Sequence, residues 1–257
     1  MWKQIRILIL LLILLIVAVT AWLDRTLTTS WQEPLWVGVF PIPADASPAA
    51  EEYVASLKRE NFTDIETFFE REAHRFGRTV SPPVHIELYP ASTRAPPLLD
   101  PDAGPFGIAW WSLKLRWFAR QAADVPGRAP PRIRLFVLYH DPAQLQSVPD
   151  SHGMQKGLVG VVHAFSDRAM AGSNNVVIAH ELLHTLGATD KYVPGSGAPI
   201  FPIGFAAPES DPLYPQTEAE IMAGRRALSP TDFDMPQSLR EVVVGPATAA
   251  EIRWTTH

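Results

Sequence analysis

The chain has 257 residues, of which 47% are hydrophobic and 19% are charged, and its formal net charge is −5. This length suffices for one domain with a sizeable core, and the negative charge gives no reason to expect nucleic acid as a partner. The absence of cysteine excludes disulfides and thiolate metal ligands, so any bound metal must use histidine and carboxylate groups.

The start of the chain predicts a membrane anchor. Residues 1–6 include two basic side chains, and Ile7–Leu23 then runs seventeen residues without a charge, about the length of a helix that crosses a bilayer. A cleaved signal peptide ending near Ala21 is the alternative, but signal cores usually span only ~7–15 residues. The positive-inside rule places the N-terminus in the cytoplasm and the rest of this single-pass protein outside it, in the periplasm or the extracellular space.

Residues 24–34 form a short polar linker, and residues 35–257 are predicted to form one domain in which strands and helices alternate. The predicted strands are Leu35–Phe40, Val84–Tyr89, Arg132–Tyr139 and Leu158–Phe165. The predicted helices are Ala49–Phe76, with a break at a capping box that starts at Thr63, and Trp110–Ala123. This order indicates an α/β fold with a mixed, mainly parallel sheet covered by helices. The aromatic side chains of Trp110–Ala123 are expected to pack on the sheet, with a membrane surface as the alternative partner.

The densest group of potential metal ligands lies in Val176–Tyr192. It contains the sequence His-Glu-Leu-Leu-His, and a helix would place His180 and His184 one turn apart on the same face. Two imidazoles at this spacing can hold one Zn²⁺. Glu181, about 100° around the helix, would stand beside the ion as general base for a bound water. The segment therefore predicts a metal centre suited to catalysis.

The residues around this motif define the limits of the predicted helix. Gly172–Asn175 offers N-cap side chains, and apolar residues on more than one face predict a helix buried in the centre of the domain. Gly187 is expected to end the helix in the left-handed conformation that glycine tolerates. The returning chain would bring Asp190 toward the metal as a third ligand.

The full pattern, H-E-x-x-H-x-x-G-x-x-D, resembles the long zinc signature of the metzincin metallopeptidases, most of which have a third histidine where this chain has Asp190. Downstream, Glu220–Gly224 (EIMAG) resembles their Met-turn, whose methionine lies beneath the metal. The resemblance covers Val159–Gly224. It implies a zincin-like α+β fold, Zn²⁺ as cofactor, a peptide or protein substrate, and Leu158–Phe165 as an antiparallel edge strand beside the cleft.

Several assignments around the site stay open. Glu220 is an alternative third ligand, because a downstream glutamate has this role in the gluzincin group, although the short spacing favours Asp190. Tyr192 and Tyr214 are candidates to donate a hydrogen bond to the oxyanion, and each is also expected as an ordinary packed aromatic residue. The other histidines lack ligand spacing to the motif, and His163 is expected at the surface.

The predicted function is that of a membrane-anchored zinc metalloendopeptidase in which Glu181 activates a water for peptide hydrolysis. An alternative from another class is a membrane-tethered binding module that keeps the zincin fold without turnover. A metal site without catalysis, and ordinary polar positions on a half-buried helix, are further interpretations of His180 and His184. An intact Glu181 favours the enzyme, since a purely structural metal site has no use for that carboxylate.

Overall fold

The structure, a computed structural model, describes residues 28–45, 47–100, 102–149, 151–154 and 158–255, together with a few positions before residue 28. Most of the predicted anchor, Ile7–Leu23, lies outside the described residues. Within the described part of the chain, no helix is both long enough and apolar enough to cross a bilayer.

A five-stranded sheet forms the centre of the domain. Its strands are β1 (Leu35–Pro43), β2 (Val84–Leu88), β3 (Ile133–His140), β4 (His152–Met154) and β5 (Val159–Phe165). They lie in the order β2-β1-β3-β5-β4, and all neighbours are parallel except β4, which runs antiparallel to β5. The predicted mixed, mainly parallel sheet is therefore confirmed. Four two-residue strands form two further pairs, β6 (Ala219–Glu220) with β9 (Val242–Val243) and β7 (Arg226–Ala227) with β8 (Phe233–Asp234).

Five helices surround this sheet among the described residues. They are α1 (Pro48–Ser56), α2 (Thr63–Arg75), α3 (Pro105–Ala122), α4 (Ala171–Leu186) and α5 (Pro246–Glu251). The predicted break between α1 and α2 is present, but the predicted capping box at Thr63 is wrong. A short 3₁₀ turn, Arg59–Phe62, runs directly into α2, so that Thr63 already has helical dihedral angles, with φ −60° and ψ −33°.

Helices pack on both faces of the sheet, and the two faces have separate cores. Successive side chains of a strand point to opposite sides. In β3, Leu135 and Val137 therefore belong to the core that includes α2 and α4, whereas Phe136 and Leu138 belong to the core that includes α3. Helix α4, which carries His180 and His184, and the aromatic helix α3 consequently lie on opposite sides of the sheet.

The packed part of the chain begins before residue 35. Trp31 is buried against Trp254, with ring centroids 5.4 Å apart, and its Nε1 donates a hydrogen bond to the carbonyl of Ile252 at 2.7 Å. Thr28 and Thr29 are buried as well. Part of the segment predicted as a linker is thus bound to the C-terminal end of the domain.

The antiparallel edge strand differs from the one that the resemblance implied. Leu158–Phe165 was expected at the edge, and this expectation is wrong, because β5 pairs in parallel with β3 through Arg134↔Val159 and the following residues. The antiparallel edge is β4, a three-residue strand that the sequence analysis did not predict. So short a strand, with glycine at its centre, has no apolar alternation to reveal it.

Two glycines allow β4 and β5 to approach α4 closely. Gly153 of β4 lies opposite Gly160 of β5. A Cβ atom on Gly153 would come within 2.5 Å of both the carbonyl oxygen of Glu181 and the Cβ of His184. A Cβ on Gly160 would lie 2.7 Å from a methyl group of Leu135. The absence of a side chain at Gly153 allows the edge strand to lie directly beside the segment of α4 that carries Glu181 and His184.

Candidate metal centre

The helix that carries the motif is buried, as predicted, and ends at Gly187, which has a φ of +102°. Its predicted start is wrong. The helix begins at Ala171, so the predicted caps lie inside its first turn, where they bind neighbouring segments instead. The Asn174 side chain exchanges two hydrogen bonds with the backbone of Phe165, and Asn175 donates to the carbonyl of Asn61 at 2.8 Å. These bonds fix the helix to the end of β5 and to the 3₁₀ turn that precedes α2.

The two imidazoles of the motif are held by backbone carbonyls. His180 Nδ1 lies 2.9 Å from the carbonyl oxygen of Ile221, and His184 Nδ1 lies 2.9 Å from that of Ala188. Because a carbonyl oxygen can only accept, each Nδ1 carries a proton, which leaves Nε2 as the atom of each ring that can bind a metal once it is deprotonated. This arrangement, with an outer hydrogen bond fixing tautomer and ring orientation, is typical of histidine metal ligands.

Asp190 completes a triad with the two imidazoles. Its Oδ1 lies 3.2 Å from His180 Nε2 and 3.1 Å from His184 Nε2. Ligands around a tetrahedral Zn²⁺, at bond lengths of about 2.0–2.2 Å, are separated from one another by roughly 3.3–3.5 Å. Each Nε2 is therefore already almost as far from Oδ1 as two ligands of one ion need to be.

The imidazoles and the carboxylate of this triad stabilise one another's charged forms. Burial alone would raise the pKa of Asp190, but hydrogen bonds from His180 and His184 hold that pKa well below its usual range. Burial alone would lower the pKa of His180, but the hydrogen bond to Asp190 and the nearby Glu181 raise it. The aspartate is thus ionised, the state in which it can bind a cation.

Glu181 lies on the buried side of the imidazoles, whereas Asp190 lies on the open side. Glu181 is only 4% exposed, and the Asp190 side chain is 42% exposed. His180, Glu181 and His184 offer ligand atoms that all lie within 4.8 Å of one another, so this group can hold a metal ion. A Cβ on Gly153 would be 3.1 Å from Glu181 Oε2, which places the carboxylate between α4 and the edge strand.

The turn at Glu220–Gly224 hydrogen-bonds to two parts of the site, the imidazole of His180 and the backbone next to Asp190. Ile221 and Met222 are fully buried. The carbonyl of Ile221 accepts the hydrogen bond from His180, and the carbonyl of Met222 accepts one from the backbone N–H of Lys191 at 2.9 Å. The turn that resembles a Met-turn therefore orients one imidazole and fixes the residue that follows Asp190.

Glu220, the rival third ligand, has a different role in the structure. It is completely buried, and its Oε2 accepts hydrogen bonds from the backbone N–H groups of Met222 and Ala223 at 2.7 and 2.9 Å. Its Oε1 accepts from Gly245 and from the Thr248 hydroxyl. Burial raises the pKa of Glu220, although these donors oppose the shift. Among the described residues it is Asp190, not Glu220, that contacts the imidazoles.

A second ion pair, which the sequence analysis missed, fixes the segment around Asp190. Lys191 is 2% exposed, and its Nζ lies 2.9 and 2.8 Å from the two carboxylate oxygens of Glu251 in α5. The same carboxylate accepts hydrogen bonds from the backbone N–H and the hydroxyl of Thr189 at 2.9 and 2.7 Å. Both neighbours of Asp190 are therefore bound by one residue that lies sixty positions away from Lys191.

Changing Glu251 to glutamine is expected to destabilise the domain and to weaken metal binding together. The change leaves the Lys191 ammonium buried without its counter-charge, which costs up to about 3–5 kcal/mol for a fully buried pair and less here, because the Glu251 side chain keeps 30% exposure. Urea unfolding and zinc titration measure the two effects. The double variant Lys191→Met, Glu251→Gln should be more stable than Glu251→Gln alone. An equal or larger loss in the double variant would contradict the proposed pairing.

The remaining candidates lie in packed environments. Tyr214 packs edge-on against Phe205, with ring centroids 5.9 Å apart, and the backbone of Tyr192 pairs with Pro199. Their role as oxyanion donors stays a prediction. His163 was expected at the surface, which is wrong. It is 8% exposed, and its Nδ1 lies 2.8 Å from Nε2 of His140, because both residues lie in adjacent interior strands.

No model of a known protein family matches this chain, and no curated protein matches it either. The fold and the site by themselves define a mixed α/β protein whose central helix carries a group of side chains able to hold a metal ion. The function must therefore be argued from the chemistry of that group.

Proposed function

We propose that the protein is a zinc-dependent endopeptidase of the zincin type, anchored to the membrane by Ile7–Leu23. The observation that carries the proposal is the convergence of two imidazole Nε2 atoms on one ionised carboxylate oxygen, at 3.2 and 3.1 Å. Two imidazoles and a carboxylate are a common ligand set for catalytic zinc, which keeps its fourth position open. The 42% exposure of the Asp190 side chain is consistent with a site that remains accessible from solvent.

Each protein group then has a defined task. His180 and His184 bind through Nε2, because their Nδ1 protons are held by backbone carbonyls. Asp190 supplies negative charge and the third ligand atom. A bound Zn²⁺ would supply Lewis acidity and lower the pKa of a water toward about 7. Glu181, buried and adjacent, takes the proton of the attacking water and passes it to the leaving amine.

The test of this proposal is peptide hydrolysis by the full chain, purified in detergent, on a broad peptide library and on a denatured protein. Hydrolysis is expected to stop with 1,10-phenanthroline, because this chelator removes the metal. It is expected to return on addition of Zn²⁺, because the ligand set contains no thiolate or other redox group that could be oxidised while the metal is absent. Hydrolysis that persists in the chelator would contradict the proposal. If metal binds but no hydrolysis occurs, the result favours the membrane-tethered binding module.

The proposed topology has its own test. A reporter enzyme fused after His257 is expected to be active only outside the cytoplasm, since basic residues precede the apolar segment and the charges that follow it cancel. The mature protein should retain Ile7–Leu23, as measured by intact mass. A mature N-terminus at Trp22 would show instead that the segment is a cleaved signal peptide.

A further inference from the structure

Helix α3 carries an apolar stripe that faces solvent. Phe106 is 93% exposed, and Trp110, Leu113 and Trp117 are 63%, 57% and 65% exposed. At about 100° per residue, these four side chains fall within an arc of roughly 60° on one face of the helix. Isolated exposed apolar residues are common, but a continuous row of large ones usually marks a contact surface.

This stripe is not the face that attaches the helix to the domain. Trp111, Leu115 and Ala119 lie on the other side, where they are buried against β1, β3 and β5. Trp111 also donates its Nε1 to the carbonyl of Pro97 at 2.8 Å. The helix is therefore apolar on two faces, and packing within the domain accounts for only one of them.

The charged residues of α3 itself are all basic. Lys114 lies on one flank, and Arg116 and Arg120 lie on the other. No acidic residue occurs between Pro105 and Ala122, although the whole chain has a net charge of −5. Bulky aromatic residues bordered by lysine and arginine are the composition of helices that lie in the interface of an anionic bilayer.

The position of α3 relative to the N-terminal apolar segment is also consistent with a nearby membrane. Arg120, near its C-terminal end, lines a cavity of about 820 Å³ together with Ser30 and residues 32–36, and Arg132 and Arg134 line the same cavity. Ser30 follows Leu23, the last residue of the apolar N-terminal segment, by seven positions, a span of at most about 25 Å. This end of α3 thus lies close to the point where the chain would leave the bilayer.

We propose that the exposed face of α3 docks onto an anionic membrane surface, with Trp110 and Trp117 at the level of the lipid headgroups and the basic flanks on headgroup phosphates. The partner is the bilayer, not a second copy of the chain, because the charge pattern and the nearby anchor both match it. Since α3 and α4 lie on opposite sides of the sheet, docking turns the metal centre away from the lipid. This proposal rests on the proposed membrane anchor but not on the proposed catalysis.

The absence of native cysteine allows a direct test. A nitroxide spin label is attached to Gln121→Cys, which keeps the whole stripe, in the full chain reconstituted into vesicles. The matched control is a label at Thr67→Cys, an exposed position of α2 on the opposite side of the sheet. Accessibility to a water-soluble nickel chelate is measured in phosphatidylcholine vesicles with and without phosphatidylglycerol.

The label at Gln121 is expected to be shielded from nickel in the anionic vesicles only, while the label at Thr67 stays accessible in both. Lys114→Gln with Arg120→Gln should shift the equilibrium between docked and free forms by roughly 25-fold, or about five-fold for each basic residue removed. Equal accessibility of the two labels in anionic vesicles would overturn the proposal. Shielding that is independent of lipid and accompanied by spin–spin broadening would overturn it too, in favour of a second copy of the chain.

Discussion

Replacing Glu181 with glutamine is expected to lower peptide hydrolysis by about 10²–10⁴-fold, the usual loss when a general base is removed. Glutamine keeps the size of the side chain but cannot take a proton from water at neutral pH. Metal content should stay at the wild-type level, because His180, His184 and Asp190 provide the ligand atoms in this account. The measurements are hydrolysis rates and zinc content on the same purified samples.

A suitable control is Glu52→Gln, an exposed glutamate of α1 on a different part of the surface. Its hydrolysis rate and zinc content should equal those of the wild type. If Glu181→Gln loses zinc as well as activity, then Glu181 acts as a ligand, not as a base. If Glu181→Gln hydrolyses peptides as fast as the wild type, the proposed mechanism is wrong.

Replacing Asp190 with alanine is expected to abolish tight zinc binding and hydrolysis together. Its Oδ1 is the oxygen that contacts both imidazoles, so its loss removes a ligand atom and the negative charge of the site. The fall in affinity should exceed the 10–100-fold that is typical when only an outer partner of a ligand is lost. Competition against a chromophoric chelator measures the affinity.

The matched comparison is Glu220→Gln, which tests the rival ligand. This change replaces an oxygen that accepts buried hydrogen bonds, and it should lower the free energy of unfolding by about 1–3 kcal/mol. Below its unfolding temperature the variant should still bind zinc. If Glu220→Gln does not fold, Thr248→Val removes only one of the donors to Glu220 and serves the same purpose. Zinc retained by Asp190→Ala but lost by a folded Glu220 variant would move the third-ligand assignment to Glu220.

Local patterns were sufficient to predict the helix that carries the two histidines and most of the sheet. The spacing of His180 and His184 is a property of one helix, and the left-handed Gly187 follows from the conformational freedom of glycine. The alternating order of strands and helices likewise indicated parallel pairing. Strand ends were less accurate, because the predicted first strand ended at Phe40, whereas β1 continues through Pro41 and Pro43 in register with β3.

The features that were missed depend on contacts between distant parts of the chain. Nothing near Lys191 in the sequence points to Glu251, and the burial of that pair follows only from the docking of α5. The same holds for Gly153, whose importance lies in the approach of β4 to α4. Glu220 was considered as an alternative third metal ligand, whereas its hydrogen-bond partners at Gly245 and Thr248 belong to a later part of the chain that the sequence did not connect with it.

One metal ion should be held by the two histidines of the motif, and the metal content of the purified protein tests this directly. The full-length protein, purified in detergent and dialysed against trace Zn²⁺, should contain about one zinc per chain by mass spectrometry, as a single tetrahedral site requires. The double variant His180→Ala, His184→Ala should contain none while retaining the circular dichroism spectrum of the wild type. Zinc at the wild-type level in this double variant, or a wild-type protein that binds no zinc, would contradict the account.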